Sequence, residues 1–178
     1  MKITGNHANF DYSDWPVELR YEIESAVSEV VRTRNYFGES GTGANGKTYC
    51  PSGIYDKLTD ILHFQMFGKR RIINKNELLR ECPYWSQETV LTFEKLCDGE
   101  FKFGEHFNAE HMKPVNDLWR KLVVENITDI QELAQEVSRF PIVIVTKDEH
   151  KKLGRKVDEP PFERYRRAGI SISANPLL

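Results

Sequence analysis

Phe140-Pro-Ile-Val-Ile-Val145, followed at once by Thr146-Lys-Asp-Glu-His150, is the stretch that decides the fold. The run from Ile142 to Val145 is β-branched and unbroken by polar residues, the pattern of a strand buried on both faces. Thr146 with Glu149 three places later is a capping box. The strand therefore turns directly into a helix that carries His150.

Working upstream, Thr128 with Gln131 reads as a second capping box, opening a helix with Ile130, Leu133, Ala134 and Val137 inward. Before it, Pro114 opens a helix whose buried stripe is Val115, Leu118, Trp119, Leu122 and Val123. Glu105 to His111 reads as an extended segment ending on a histidine. The N-terminal part is helical throughout. Leu19, Ile23, Ala26, Val27, Val30 and Val31 recur at helical spacing after Asp14 and Pro16, and Ile54, Leu58, Ile61 and Leu62 mark a second helix ending near Gly68. A short helix from Asn76 to Glu81 is stopped by Pro83, and Ser86 caps another carrying Val90, Phe93, Leu96 and Cys97. Downstream of the deciding stretch come Pro160-Pro161, a helical turn from Phe162 to Arg167 and a strand at Ile170 to Ile172. The expected architecture is α+β, a mainly helical single domain over residues 1–178 with a small sheet. Its residues 1–98 form a helical part, and residues 99–178 an α+β part that carries the candidate site.

Composition narrows the function classes. Hydrophobic residues make up 39% and charged residues 29%, enough apolar mass for a packed core without disulfides or metal. No apolar run approaches the roughly 20 residues that span a bilayer, and Met1-Lys2-Ile3-Thr4-Gly5 leads into polar residues without a signal-peptide core. A cytoplasmic protein with no membrane partner is expected. Cys50, Cys82 and Cys97 are odd in number and widely spaced, which argues against a secreted disulfide framework. Charge is uneven: residues 1–31 hold six acidic and two basic residues, while residues 147–167 hold eight basic and five acidic ones. A polyanion such as DNA or RNA would meet the C-terminal third.

Gly41-Thr-Gly-Ala-Asn-Gly46-Lys47-Thr48 fits the phosphate-loop pattern G-x-x-x-x-G-K-[ST]. That chemistry needs a buried strand entering the loop and a helix leaving it, so that backbone N–H groups converge on the phosphates. The segment before this loop has helical periodicity instead, and Pro51 and Gly53 fall in the first turns of the outgoing helix. A flexible glycine-rich loop is the plainer reading.

The histidines carry a different resemblance. Glu110-His111-Met-Lys-Pro114 and Asp148-Glu149-His150 together resemble the two motifs of the His-Me finger (HNH) nucleases, over residues 105–153. The resemblance implies His111 as general base with Glu110 beside it, His150 and Asp148 as ligands to Mg²⁺ or another divalent cation, and cleavage of a phosphodiester. The chemistry suits the residue types: imidazole titrates near neutrality, and imidazole with carboxylate suits such an ion. Lys151, Lys152 and Arg155 follow His150 directly, and Arg164 and Arg167 share a helical face near Tyr165, so these basic groups would contact phosphate. Each also has a structural reading: Glu149 completing its capping box, His111 ending a strand, the basic groups forming a solvated face.

Other constellations are thinner. A zinc site from Cys82, Cys97, His106 and His111 has a cysteine gap too wide for a knuckle. Glu100-Phe-Lys102 and Glu110-His-Met-Lys113 have E-x-K-like spacing but follow a helix rather than an acidic strand. Three functions follow in order: a nucleic-acid-acting protein, in its sharpest form a metal-dependent nuclease; a non-catalytic accessory or adaptor protein that binds another protein; and a nucleotide binder at Gly41–Thr48.

Overall fold

The computed structural model describes residues 17–37, 50, 52–68, 72, 74–96, 102–154 and 160–178, which form a mainly helical α+β protein with one small mixed sheet. In chain order the elements are α1 (Val17–Phe37), α2 (Ser52–Phe67), α3 (Lys75–Glu81), β1 (Tyr84–Ser86), α4 (Gln87–Lys95), α5 (Phe103–His106), β2 (Phe107–His111), α6 (Val115–Val124), α7 (Ile130–Ser138), β3 (Ile142–Thr146), α8 (Lys147–Leu153), α9 (Pro161–Arg167) and β4 (Ile172–Ala174). The described residues divide into two units, one drawn from 72–112 and 141–178 and the other from 3–71 and 113–140. The division is interleaved along the chain and does not fall between residues 98 and 99 as the sequence suggests. Strand pairing unites residues 107–111 with 142–146, while the segment between them presents an apolar helical stripe that the N-terminal helices share.

The helical unit packs α1, α2, α6 and α7 on one another. Leu19, Ile23, Ala26, Val30 and Thr33 form the buried stripe of α1, and Ile54, Leu58, Ile61 and Leu62 that of α2, at the three- and four-residue spacing that puts side chains on one face. All five residues expected inward on α6 are buried, as are Leu133, Ala134 and Val137 of α7. Gly68, at φ 65°, ends α2 with its N–H on Phe64 O at 2.8 Å, a left-handed position that glycine adopts without strain. The cap of α7 is Asp129, whose carboxylate accepts from Glu132 N at 2.8 Å. This displaces by one residue the Thr128–Gln131 box expected from sequence, since the helix starts at Ile130 and Asp129 is then the residue whose side-chain oxygen reaches a free N–H of the first turn.

The sheet unit has strand order β2-β3-β1-β4. β3 lies parallel to β1 (Trp85 opposite Ile144) and antiparallel to β2 (Phe107 opposite Thr146 through His111 opposite Ile142), and β4 runs antiparallel to β1. Every residue of β3 is buried, the outcome its unbroken apolar run dictates. Residues 105 and 106, expected extended, form the single turn α5, and the strand starts at Phe107. The last strand also begins two residues later than expected. Trp85 is fully buried, donates from Nε1 to Leu79 O at 3.1 Å and meets Phe93 edge to face at 5.2 Å. Buried Asn175 donates from Nδ2 to Leu79 O, Arg80 O and Cys82 O at 3.2, 2.9 and 2.9 Å, so it takes up carbonyls that the end of α3 leaves open. No described helix is long and apolar enough to cross a membrane.

Candidate functional site

The site is built where β3 turns into α8. Thr146 caps α8 with the capping box its sequence foretells: Thr146 Oγ1 accepts from Glu149 N at 3.2 Å and Glu149 Oε2 accepts from Thr146 N at 2.9 Å. That carboxylate oxygen also accepts from Ser86 Oγ at 2.5 Å, and Ser86 in turn caps α4 by accepting from Thr89 N at 3.0 Å. Thr89 Oγ1 donates to Ile144 O at 3.1 Å. Glu149, Ser86 and Thr89 are all buried, so this chain of bonds ties two helix starts to the central strand with its polar atoms satisfied. Glu149 is therefore a structural carboxylate.

With α8 fixed in this way, its next residue meets β2. His150 Nδ1 lies 2.7 Å from Glu110 Oε2, and Arg164 of α9 donates from Nη2 to Glu110 Oε1 at 2.6 Å. Glu110 is only 9% exposed and Arg164 4%. The rest of the Arg164 guanidinium lies against backbone carbonyls: Nε to Leu153 O at 3.4 Å, Nη1 to Met112 O at 3.5 Å and Nη2 to Gly154 O at 3.3 Å. A buried carboxylate is thus held on one oxygen by a buried guanidinium and on the other by an imidazole. Beneath them Tyr165 is buried, and desolvation together with the Glu110 charge pushes its phenol above the usual range.

These contacts sort the residues singled out from sequence. Glu110 and His150 come together. His111 follows Glu110 in the strand, and successive strand side chains take opposite faces, so His111 is turned away from the face that carries α8. Asp148 sits on the exposed side of α8, its carboxyl held below the usual range by Lys151, whose Nζ lies 2.8 Å from Oδ1. Lys151, Lys152 and Arg167 are exposed, whereas Arg164 is spent inside the fold and is no surface contact for a polyanion. Arg155, Cys97 and the Gly41–Thr48 loop lie outside the described residues.

The donor set does not match the cation site that the resemblance implies. Glu110, the carboxylate beside His150, is already neutralised by Arg164, and Asp148 is tied to Lys151. Among the described residues no group of three or more histidine, cysteine and acidic side chains is placed to hold a metal ion. The zinc reading loses Cys82, whose thiol is buried, donates toward Ile142 O at 3.4 Å and is pushed up to about 12 by burial. Burial likewise pushes the Cys50 thiol up to about 12, so neither group is a ready nucleophile.

A concavity of about 540 Å³ lies beside α8, among Glu88, Glu105, His106, Lys147, Lys151 and Lys152, and His150 is not among its lining residues. Its walls carry both signs of charge. Sequence reasoning missed the role of Arg164 and the place of His106 in this cleft. The one available hint for the first was its place at the fourth position of α9, directly before Tyr165, the other buried residue of that helix. No family model, no curated protein and no solved structure matches the chain.

Proposed function

We propose that the protein acts on nucleic acid and that its working group is His150, a proton acceptor set beside a phosphodiester. The observation that carries this reading is the 2.7 Å contact of His150 Nδ1 with Glu110 Oε2. An ionised carboxylate only accepts, so Nδ1 carries the hydrogen, and in the neutral form of the ring Nε2 is the nitrogen with the free lone pair. The His150 side chain is 48% exposed and Glu110 is locked, which leaves an oriented imidazole open to water at the sheet edge. Water passes a proton to Nε2, its oxygen adds to phosphorus, and the ester oxygen leaves with a proton drawn from solvent. Exposed Lys151, Lys152 and Arg167 supply the positive charge that would meet the phosphate backbone. The order of elements supports the reading too: β2 and β3 pair antiparallel and α8 follows β3 at once, which brings His150 against Glu110 of the edge strand.

The test is incubation with end-labelled single- and double-stranded DNA and RNA in Mg²⁺, in Mn²⁺ and in EDTA. Cleavage that falls by about 10²- to 10⁴-fold in His150→Ala and much less in His111→Ala supports the proposal. Equal loss in both variants returns the base to His111. Absence of cleavage on every substrate refutes hydrolysis. A second reading, a non-catalytic accessory protein, draws support from the ion pair of Glu110 with Arg164, a bond that also serves pure architecture. Retained DNA, RNA or protein binding without cleavage would favour it.

A further inference from the structure

Glu110 is a carboxylate about nine-tenths removed from water, and such a group stays ionised only beside a compensating charge or good donors. In a site built around a divalent cation the ion itself supplies that charge. Here the charge comes from the chain. Arg164 is more deeply buried than Glu110, reaches one carboxylate oxygen at 2.6 Å and turns its remaining N–H groups on the carbonyls of Met112, Leu153 and Gly154. A guanidinium matches carboxylate geometry, never loses its charge and presents several N–H groups, so it can hold an oxyanion and several backbone carbonyls at once. Those carbonyls lie at the end of β2 and the end of α8, the two elements that carry Glu110 and His150.

We infer that Arg164 is the resident cation of this site, a positioning residue that holds Glu110 in a buried ion pair, aims it at His150 and makes the assembly of the pair independent of divalent metal. The inference rests on reading Glu110 and His150 as the working pair. It departs from the metal-centred chemistry that the sequence resemblance implies. Its ligand-level consequence is that the open side of the His150 ring faces solvent as a bare nitrogen acceptor. The group it receives is then the hydroxyl or water of a phosphoester reaction rather than a metal-bound phosphate.

The first measurement uses the full-length native chain and needs no substrate. Calorimetric titration with MnCl₂ and with ZnCl₂ should show no binding that depends on Glu110: the native isotherm and that of Glu110→Gln should coincide. Arg164→Ala should gain Mn²⁺ or Zn²⁺ affinity at least tenfold, and the double variant Arg164→Ala/Glu110→Gln should lose the gain. Native binding that weakens tenfold or more in Glu110→Gln would overturn the inference, as would a folded Arg164→Ala that gains nothing. If Arg164→Ala does not fold, long-range ¹H–¹⁵N spectra of the native protein decide. A neutral His150 ring protonated on Nδ1, unchanged by Mg²⁺ and unbroadened by Mn²⁺, is the expected result. A ring protonated on Nε2, or one that Mn²⁺ broadens, overturns it. Failures separate cleanly: a protein that cuts no nucleic acid yet keeps these spectra loses the proposed activity alone, and one that cuts only with Mg²⁺ and broadens with Mn²⁺ loses the inference alone.

Discussion

Replacing Glu110 by glutamine keeps the shape of the side chain and removes its charge, and the cost follows from what is left behind. Arg164 would remain 4% exposed with a full positive charge, facing the amide and three carbonyls at 3.3 to 3.5 Å, at or near the outer limit of useful hydrogen bonding. Breaking a buried ion pair from one side destabilises by about 3–5 kcal/mol, because the uncompensated charge stays in the interior. The amide oxygen can still accept one hydrogen bond, which places the expected loss near the lower end, about 3 kcal/mol. For a chain of this size that lowers the melting temperature by roughly 6–12 °C. Removing both partners, as Glu110→Gln with Arg164→Met, should cost clearly less than the sum of the single changes, since no orphaned charge remains. Urea unfolding followed by circular dichroism measures all three. Glu163→Gln, which breaks the surface pair with Arg166 on α9, is the control and should leave the midpoint unmoved. Additive single and double effects, or a Glu110→Gln midpoint equal to that of the control, would refute the reasoning that this pair braces the site.

Other expectations are narrower. Asn175→Ala strips three α3-end carbonyls of a buried donor and should cost about 1–3 kcal/mol, read as a lowered urea midpoint. Burial opposes ionisation of Glu136, but the Lys121 ion pair at 2.7 Å and the charges of Lys113 and Arg139 outweigh it and hold its carboxyl below the ordinary 4.5. A depressed folded value means that its contribution is complete above about pH 4.5 and fades as acid titrates it, so Glu136→Gln should lower stability at pH 7 and flatten the acid limb of the midpoint against pH. Brief alkylation at pH 8, read by mass spectrometry, should leave Cys50 and Cys82 unlabelled until urea is added, because both thiols are pushed up to about 12.

Much of the fold is written in local pattern. The buried stripes of α1, α2, α6 and α7 follow from apolar spacing, β3 from its unbroken β-branched run, and the starts of α4 and α8 from Ser86 and from Thr146 with Glu149. The strand β1 left no such trace: three residues are too few for a period, and its pairing with β3 and β4 is decided by partners far along the chain. The division into units was illegible for the same reason. At the site, the sequence placed Glu110, His111 and His150 in view, but side-chain facing at the end of a strand depends on register, and register put Glu110 rather than His111 against α8. Arg164 read as a phosphate contact because it lies three residues from Arg167 on one helical face; only tertiary packing shows that it is buried while Arg167 is exposed.

The junction beyond β2 has one more implication. Met112 N donates to Pro141 O at 3.0 Å, just past the His111–Ile142 pair, so the backbone leaves β2 and returns into β3 across one hydrogen-bonded pair of residues. Strand alignment is thus fixed by the ladder and by this clasp, not by the length of what lies between. In chain connectivity, residues 113–140 join β2 to β3 as a hairpin turn joins two antiparallel strands. Residues added within that segment should therefore leave the β2–β3 pairing unchanged, with Glu110 still opposite Val143 and on the strand face that meets His150.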